Sequence, residues 1–236
     1  MTGTGAELSH APGRGGGQFI PRPSRFEVGD PPPWAHLPEP ERVIDEASLR
    51  DRLAAAPPPE PALSELGGAR PSAVLAPLFT EDGELHVVLT RRAKHLRSHR
   101  GEVCFPGGGV EGDESIHEAA FREAYEEVRL APDGVEVLGE LDHLQTYTSR
   151  SFIVPVVAML PGRPTLEPDP AEVDAVLVVP VRELLRSDVY REERWGLHPL
   201  LRPLYFFELV GDTVWGATAS MLRNLLAIGT DTPWRG

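Results

Sequence analysis

Cysteine is almost absent from this chain: Cys104 is the only one in 236 residues. That excludes an intramolecular disulfide and any cysteine-rich zinc site. No histidine-paired thiol pattern surrounds Cys104, so it reads as a small buried apolar residue rather than a nucleophile. Lysine is equally scarce, with Lys94 standing alone among 23 basic residues. No apolar run is long enough to cross a bilayer; the most apolar stretch, residues 152–160, is short and interrupted by Pro155. The start of the chain has no apolar h-region, so no signal peptide is expected and the cytoplasm is the expected compartment. Positive charge is in deficit as well. A formal net charge of −13 with a single basic segment argues against nucleic acid as a partner.

What is present is a chain with 41% hydrophobic residues, enough for one large domain or two small ones. Residues 1–40 are rich in Gly, Pro and polar groups and are expected to wander or drape over the surface. Gly15, Gly16 and Gly17 do not make a phosphate loop, because no Gly-Lys-Ser/Thr follows and no strand precedes. Residues 1–65 are expected to form a partly disordered extension with one short helix at 46–56, residues 66–230 the principal domain, and 231–236 a tail. Strands are expected at 73–79, 85–89, 135–141, 152–159, 173–179, 204–209 and 213–215. Helices are expected over 116–128, from 181, and over 217–228. These elements interleave without a regular βαβ rhythm.

The chemistry concentrates between residues 105 and 130. Phe105-Pro106-Gly107-Gly108-Gly109 can turn tightly and bring backbone close to a ligand. Glu123, Glu126 and Glu127 follow at i, i+3 and i+4, so a helix projects all three from one face. Like charges crowded in this way repel, and a hard cation such as Mg²⁺ or Mn²⁺ relieves the repulsion. The segment resembles the Nudix box of Nudix hydrolases, Gly-x5-Glu-x7-Arg-Glu-U-x-Glu-Glu-x-Gly-U with U a bulky aliphatic residue. Gly108, Glu114, Arg122, Glu123, Glu126, Glu127 and Leu130 match it; Ala124 is small for its position and Arg129 replaces the last glycine. A glycine there commonly serves a positive φ at a helix C-terminus, so Arg129 is expected to cost on the order of 1 kcal/mol in stability or turn shape.

A second motif precedes the box. Thr90, Arg92, Leu96, Arg97, Gly101, Val103, Phe105, Pro106, Gly107 and Gly108 fit the additional signature of the coenzyme A diphosphatase branch; Ala93 stands where serine is usual. Residues 91–100 carry Arg91, Arg92, Lys94, Arg97 and Arg100 with His95 and His99 and no acid. An acidic protein that binds a polyanion needs such a local basic patch, and guanidinium forks suit phosphate. The resemblance extends over residues 70–230, through Gly139–Asp142, 146–156, Glu172-Val173, Val179–Val181 and 215–222.

The resemblance implies an α/β fold, the Nudix α/β/α sandwich with a mixed β-sheet. It implies a Nudix diphosphatase that cleaves coenzyme A or its derivatives to 3′,5′-ADP and 4′-phosphopantetheine, with Mg²⁺ or Mn²⁺ as cofactor. Glu123, Glu127 and Glu126 are the expected metal ligands, with the Gly108 carbonyl as an extra one. The cation would neutralise diphosphate charge and acidify the attacking water. Glu126, Glu127, Glu123 and Arg122 form the expected catalytic set, in which Arg122 and Glu114 brace each other rather than react. Arg91, Arg92, Arg97, His99, Gly107 and Gly108 are the expected substrate contacts. Glu126 and Glu172 are both open as general base, and Trp215 reads as core or as an adenine-stacking ring. Other nucleoside diphosphate derivatives (ADP-ribose, NADH, a nucleotide sugar) form the alternative substrate class, and a binding module without catalysis is a third reading. The expected partner is a small molecule, with no nucleic acid and no membrane; a homodimer is left open.

Overall fold

The computed structural model describes residues 13–62, 69–145, 151–197 and 200–235. The elements begin with β1 (Gly15–Gly16), β2 (Glu27–Val28), α1 (Glu46–Ala55), β3 (Arg70–Glu81), β4 (Glu84–Arg92), β5 (Val103–Cys104) and β6 (Gly107–Gly109). Next come α2 (Ile116–Val128), β7 (Glu136–Glu140), β8 (Leu144–Gln145), β9 (Ser151–Met159), β10 (Val173–Pro180) and α3 (Val181–Leu184). The chain closes with β11 (Tyr190–Trp195), β12 (Arg202–Glu208), β13 (Val210–Gly211), β14 (Thr213–Trp215) and α4 (Gly216–Gly229).

The central sheet runs β10-β4-β3-β9-β7. It is mixed: β3 and β9 pair in parallel, while β10–β4, β3–β4 and β7–β9 are antiparallel. Alternation along β3 sorts side chains between the two faces. Ala73, Leu75 and Phe79 meet Ala119, Ala120, Ala124 and Val128 of α2. Val74, Ala76 and Leu78 join the opposite core with Leu49 and Leu53 of α1 and Leu222, Leu225 and Leu226 of α4. The result is an α/β/α sandwich over a mixed sheet, as expected.

The same alternation on β4 separates two neighbouring arginines. Val88 packs on the α2 face, and Thr90 and Arg92 share its parity. Leu85, Val87 and Leu89 pack on the other face, and Arg91 goes with them.

A second sheet, β14-β12-β11-β2, joins the two expected strands at 204–209 and 213–215 to β11, to which the sequence assigns no element, and to β2, which falls in the N-terminal extension. β11 is Tyr-Arg-Glu-Glu-Arg-Trp, a sequence without apolar alternation. Its Glu193 is fully buried, yet it is bonded by Trp195 Nε1 at 2.8 Å and by Arg22 Nε at 3.1 Å. Buried charge is tolerated there because it is paired and hydrogen-bonded.

Of the two expected courses, the described part of the N-terminal segment takes the second and lies over the folded unit, where it is anchored: β1 pairs with β13, β2 pairs with β11, and Trp34 is 0% exposed. Its ring lies against Tyr190 and Phe207, at centroid distances of 5.7 and 6.5 Å. Arg14 bonds Glu183 at 2.6 Å and Asp188 at 2.9 Å, which ties the segment down further. The tail is held as well, with Trp234 Nε1 donating to Asp142 at 2.9 Å and Arg235 to Pro58 O at 2.8 Å. Residues 1–12, and 146–150 of the resemblance, lie outside the described residues. No helix among the described residues is long and apolar enough to cross a membrane.

Candidate active site

Helix α2 carries the three glutamates and begins where its capping chemistry dictates. Ser115 is the N-cap and accepts from the Glu118 N–H, while Glu118 accepts from the Ser115 N–H at 2.8 Å, a complete capping box. At the other end Arg129 adopts φ 57°, ψ 29° and donates its N–H to Tyr125 O at 2.9 Å. Arginine thus takes the left-handed conformation expected of the missing glycine, and its guanidinium lies 5.4 Å from the Tyr125 ring. The loop before β10 covers this end: the N–H groups of Glu167 and Asp169 donate to Val128 O and Glu127 O at 2.9 and 2.8 Å. They satisfy carbonyls that a helix terminus leaves free.

The glycine turn lies against the same helix. β6 pairs with β3 in the register Ser72↔Gly109, Ala73↔Gly108 and Val74↔Gly107. Gly107 has φ 156°, and a Cβ there would run into the Ala73 carbonyl and stand 2.6 Å from Val74 Cα. A Cβ on Gly108 would lie 2.5 Å from the Glu123 carboxyl carbon. Only glycine lets backbone approach the box carboxylates this closely.

Arg122 organises one half of the cluster. It donates to Glu114 at 3.1 and 2.9 Å, to Glu123 at 2.9 Å, to Glu126 at 3.0 Å and to Gly109 O at 2.9 Å. These bonds lower the Glu114 pKa and raise that of Arg122, so the brace is fully charged. Glu123 behaves differently: burial raises its pKa despite the opposing pull of Arg122.

Glu127 is the buried member, 3% exposed. Burial pushes its carboxyl up to about 7; Arg92 and the Gly107 N–H oppose the rise, and the charges of Glu172 and Glu123 add to it. Arg92 Nη1 stands 3.6 Å from Glu127 Oε1, and Glu127 Oε2 has no hydrogen-bond partner among the described residues. Glu172, whose N–H and carbonyl are bonded to Asp169 O and the Ala93 N–H at 3.0 and 2.7 Å, is thereby close enough for its charge to act on both box carboxylates.

The structure divides the basic segment. Residues 93–102 form a loop that closes on β4, with Arg92 N bonded to Glu102 O at 2.9 Å and Gly101 N to Arg92 O at 3.0 Å. Lys94, Arg97 and Arg100 are exposed on it. His99 is turned to Glu102 at 2.9 Å, and His95 to Ala171 O at 3.0 Å. Arg91 is drawn away from the carboxylates by Asp174 and Asp212, each at 3.0 Å. Asp212 is 121 residues distant, so no local signal announced it. Trp215 is partly buried beside Trp195, at 6.5 Å between ring centroids. Cys104 sits behind the site, where burial pushes its thiol up to about 11, in keeping with an inert residue.

Among the described residues, no three His, Cys, Asp or Glu side chains are gathered in ligating geometry; arginines partner the carboxylates instead. The donor set still fits a divalent cation. All candidate ligands are hard oxygens, Glu127 offers an unpartnered buried oxygen, and the Gly108 backbone lies against Glu123. Glu123, Glu126, Glu127 and the Gly108 carbonyl could hold it.

Several known proteins are similar to this chain. The family described as NUDIX domain matches residues 69–201. An uncharacterized Nudix hydrolase, NudL, of Photorhabdus laumondii is 36% identical over 170 residues, covering 72% of this chain and 89% of the relative. Nudix hydrolase 3 of Caenorhabditis elegans is 40% identical over 117 residues, covering 48% of this chain and 49% of that protein. A MutT/Nudix family protein from Enterococcus faecalis superposes with a TM-score of 0.47 at 16% identity, covering 77% of this chain and 73% of that one. The chain belongs to the Nudix hydrolase family, enzymes that act on phosphoric anhydrides of nucleoside diphosphate derivatives with divalent metal ions.

Proposed function

We propose that this enzyme hydrolyses the diphosphate of coenzyme A or its acyl derivatives, releasing 3′,5′-ADP and 4′-phosphopantetheine, with Mg²⁺ or Mn²⁺. The observation that carries this reading is the continuity of one strand and its loop: Arg92 faces the buried carboxylate Glu127, and the chain leads directly from it into Lys94, Arg97 and Arg100. Coenzyme A carries two anionic centres, a diphosphate and a 3′-phosphate. A basic loop beside a glutamate cluster suits both, whereas ADP-ribose and NADH present only the first.

In this reading Glu123, Glu126 and Glu127 hold the cation with the Gly108 carbonyl. When bound, the cation neutralises the diphosphate and lowers the pKa of the attacking water. Arg122 keeps Glu123 and Glu126 oriented through its fork and fixes the glycine turn through Gly109 O. Gly107 and Gly108 let the diphosphate approach the backbone. Glu126 and Glu172 are the carboxylates that could take the proton of the attacking water, and Glu172 has support from its charge acting on both Glu123 and Glu127. Arg92 and Arg97 contact phosphate. Arg91 and His99 are weaker contacts than the sequence suggested, since each already has carboxylate partners.

Arg97→Ala should raise KM for coenzyme A by roughly tenfold or more, the scale of one charged hydrogen bond. The same change should move KM for dephospho-coenzyme A much less. Steady-state kinetics on both substrates checks this, and equal effects would remove Arg97 from 3′-phosphate recognition.

A further inference from the structure

Two arginines serve the glutamate cluster, and their states differ. Arg122 makes five hydrogen bonds of 2.9–3.1 Å to Glu114, Glu123, Glu126 and the Gly109 carbonyl. It is committed on every side. Arg92 reaches Glu127 only at 3.6 Å, too long for a hydrogen bond. Its Nε is buried without a hydrogen-bond partner among the described residues, and so is Glu127 Oε2. A guanidinium and a carboxylate left to themselves make a two-pronged fork. Here the two groups face each other across a gap, each with an unused polar atom.

The surroundings explain why a positive charge stands there. Glu127 is 3% exposed and within the fields of Glu123 and Glu172, so its ionised form is costly without a counter-charge. Strand parity directs Arg92 to the α2 face, while Arg91 is taken by Asp174 and Asp212 on the other side. The Arg92 side chain is 25% exposed, and its guanidinium acts on the Cys104 thiol as well as standing 3.6 Å from Glu127.

We infer that Arg92 is an exchangeable counter-cation: it neutralises Glu127 before a divalent ion is taken up, gives way to that ion, and turns its guanidinium to the substrate diphosphate. This rests on the metal-dependent reading above. Uptake of the ion adds positive charge beside Arg92 and releases it, and an anion that draws Arg92 away makes Glu127 more available to the ion. The two binding events therefore favour each other, by reciprocity. Arg92 is then a positioning residue for the free enzyme and a phosphate contact for the loaded one.

The test is Mn²⁺ binding to the full chain without substrate, read from the electron paramagnetic resonance signal of free Mn²⁺. If Arg92 competes with the ion, Arg92→Gln should bind Mn²⁺ more tightly than the wild type, by about tenfold, the scale set by removing one nearby like charge from a partly screened site. Arg92→Lys keeps the charge on a shorter reach and should fall between them. Arg92→Met retains the apolar stem and serves as a second variant with the same expected sign, should the glutamine variant fail to fold. A merely structural brace gives the opposite sign, since losing it would loosen Glu127 and weaken Mn²⁺ binding. Weaker or unchanged affinity in these variants would overturn the inference while leaving the metal site intact. No Mn²⁺ binding by any protein, wild type included, would overturn both the inference and the site reading beneath it.

Discussion

Glu127 is the most deeply buried carboxylate of the cluster it forms with Glu114, Glu123 and Glu126. Its folded pKa is raised from 4.5 to about 7, chiefly by burial. The sign follows from linkage: the folded chain holds this proton more tightly than the unfolded one, so ionisation above pH 4.5 costs folded-state stability until the group is fully ionised above about 7. Metal-free wild type should therefore lose Tm relative to Glu127→Gln as pH rises through that window. Parallel Tm-against-pH curves would contradict the burial argument. With metal and substrate, the same substitution should lower kcat by roughly two to three orders of magnitude, the scale of removing one electrostatic stabiliser of the transition state. Arg91 and Arg92 make a related point. Adjacent on β4, they go to opposite faces of the sheet, and the alternation of Leu85, Val87 and Leu89 already carried that information. Charge alone groups the two; strand parity separates them.

Elements whose local signals agreed with their tertiary setting were the legible ones. Helix α2 has the expected bounds, Ile116–Val128, because capping residues, apolar spacing and box spacing coincide. The β3–β4 hairpin was equally clear, with Asp82 and Gly83 at φ 51° and 78° in its turn. Strand β11 was hidden, because four of its six residues are charged and their partners include Arg22 and Glu208, outside the strand. The exit of α2 offers a sharp test. Arg129 holds φ 57°, a conformation hostile to β-branched side chains. Arg129→Val should cost roughly 1–2 kcal/mol. Arg129→Gly should stay within about 1 kcal/mol of wild type, since relief of strain is offset by the entropy of glycine and the lost contact with Tyr125. Denaturant melts of the three proteins check the order. A valine variant as stable as wild type would show that the left-handed exit is not maintained.

On the scale of the whole molecule, the described N-terminal segment belongs to the folded unit rather than hanging from it. A composition rich in Pro and Gly gives residues 1–40 no fixed place, but Trp34 is buried in the core shared with α4 and with Leu49 and Leu53 of the expected helix α1. A lone tryptophan in a polar stretch gives no periodic signal, so sequence could not show where it docks. Trp34→Ala should destabilise by about 3–5 kcal/mol, the range for deleting a large core aromatic. Thermal or chemical unfolding measures it, and a loss below about 1 kcal/mol would mean the segment only drapes. At the same scale lies the proposal that the glutamate helix, glycine turn and basic loop act together on coenzyme A. The most direct measurement is chromatographic analysis of the products formed by the purified chain from coenzyme A, dephospho-coenzyme A and ADP-ribose, each with Mg²⁺ or Mn²⁺ and with EDTA. Metal-dependent release of 3′,5′-ADP and 4′-phosphopantetheine from coenzyme A is expected, with the other two substrates turned over more slowly. Faster cleavage of ADP-ribose, or no metal-dependent cleavage of coenzyme A, would contradict it.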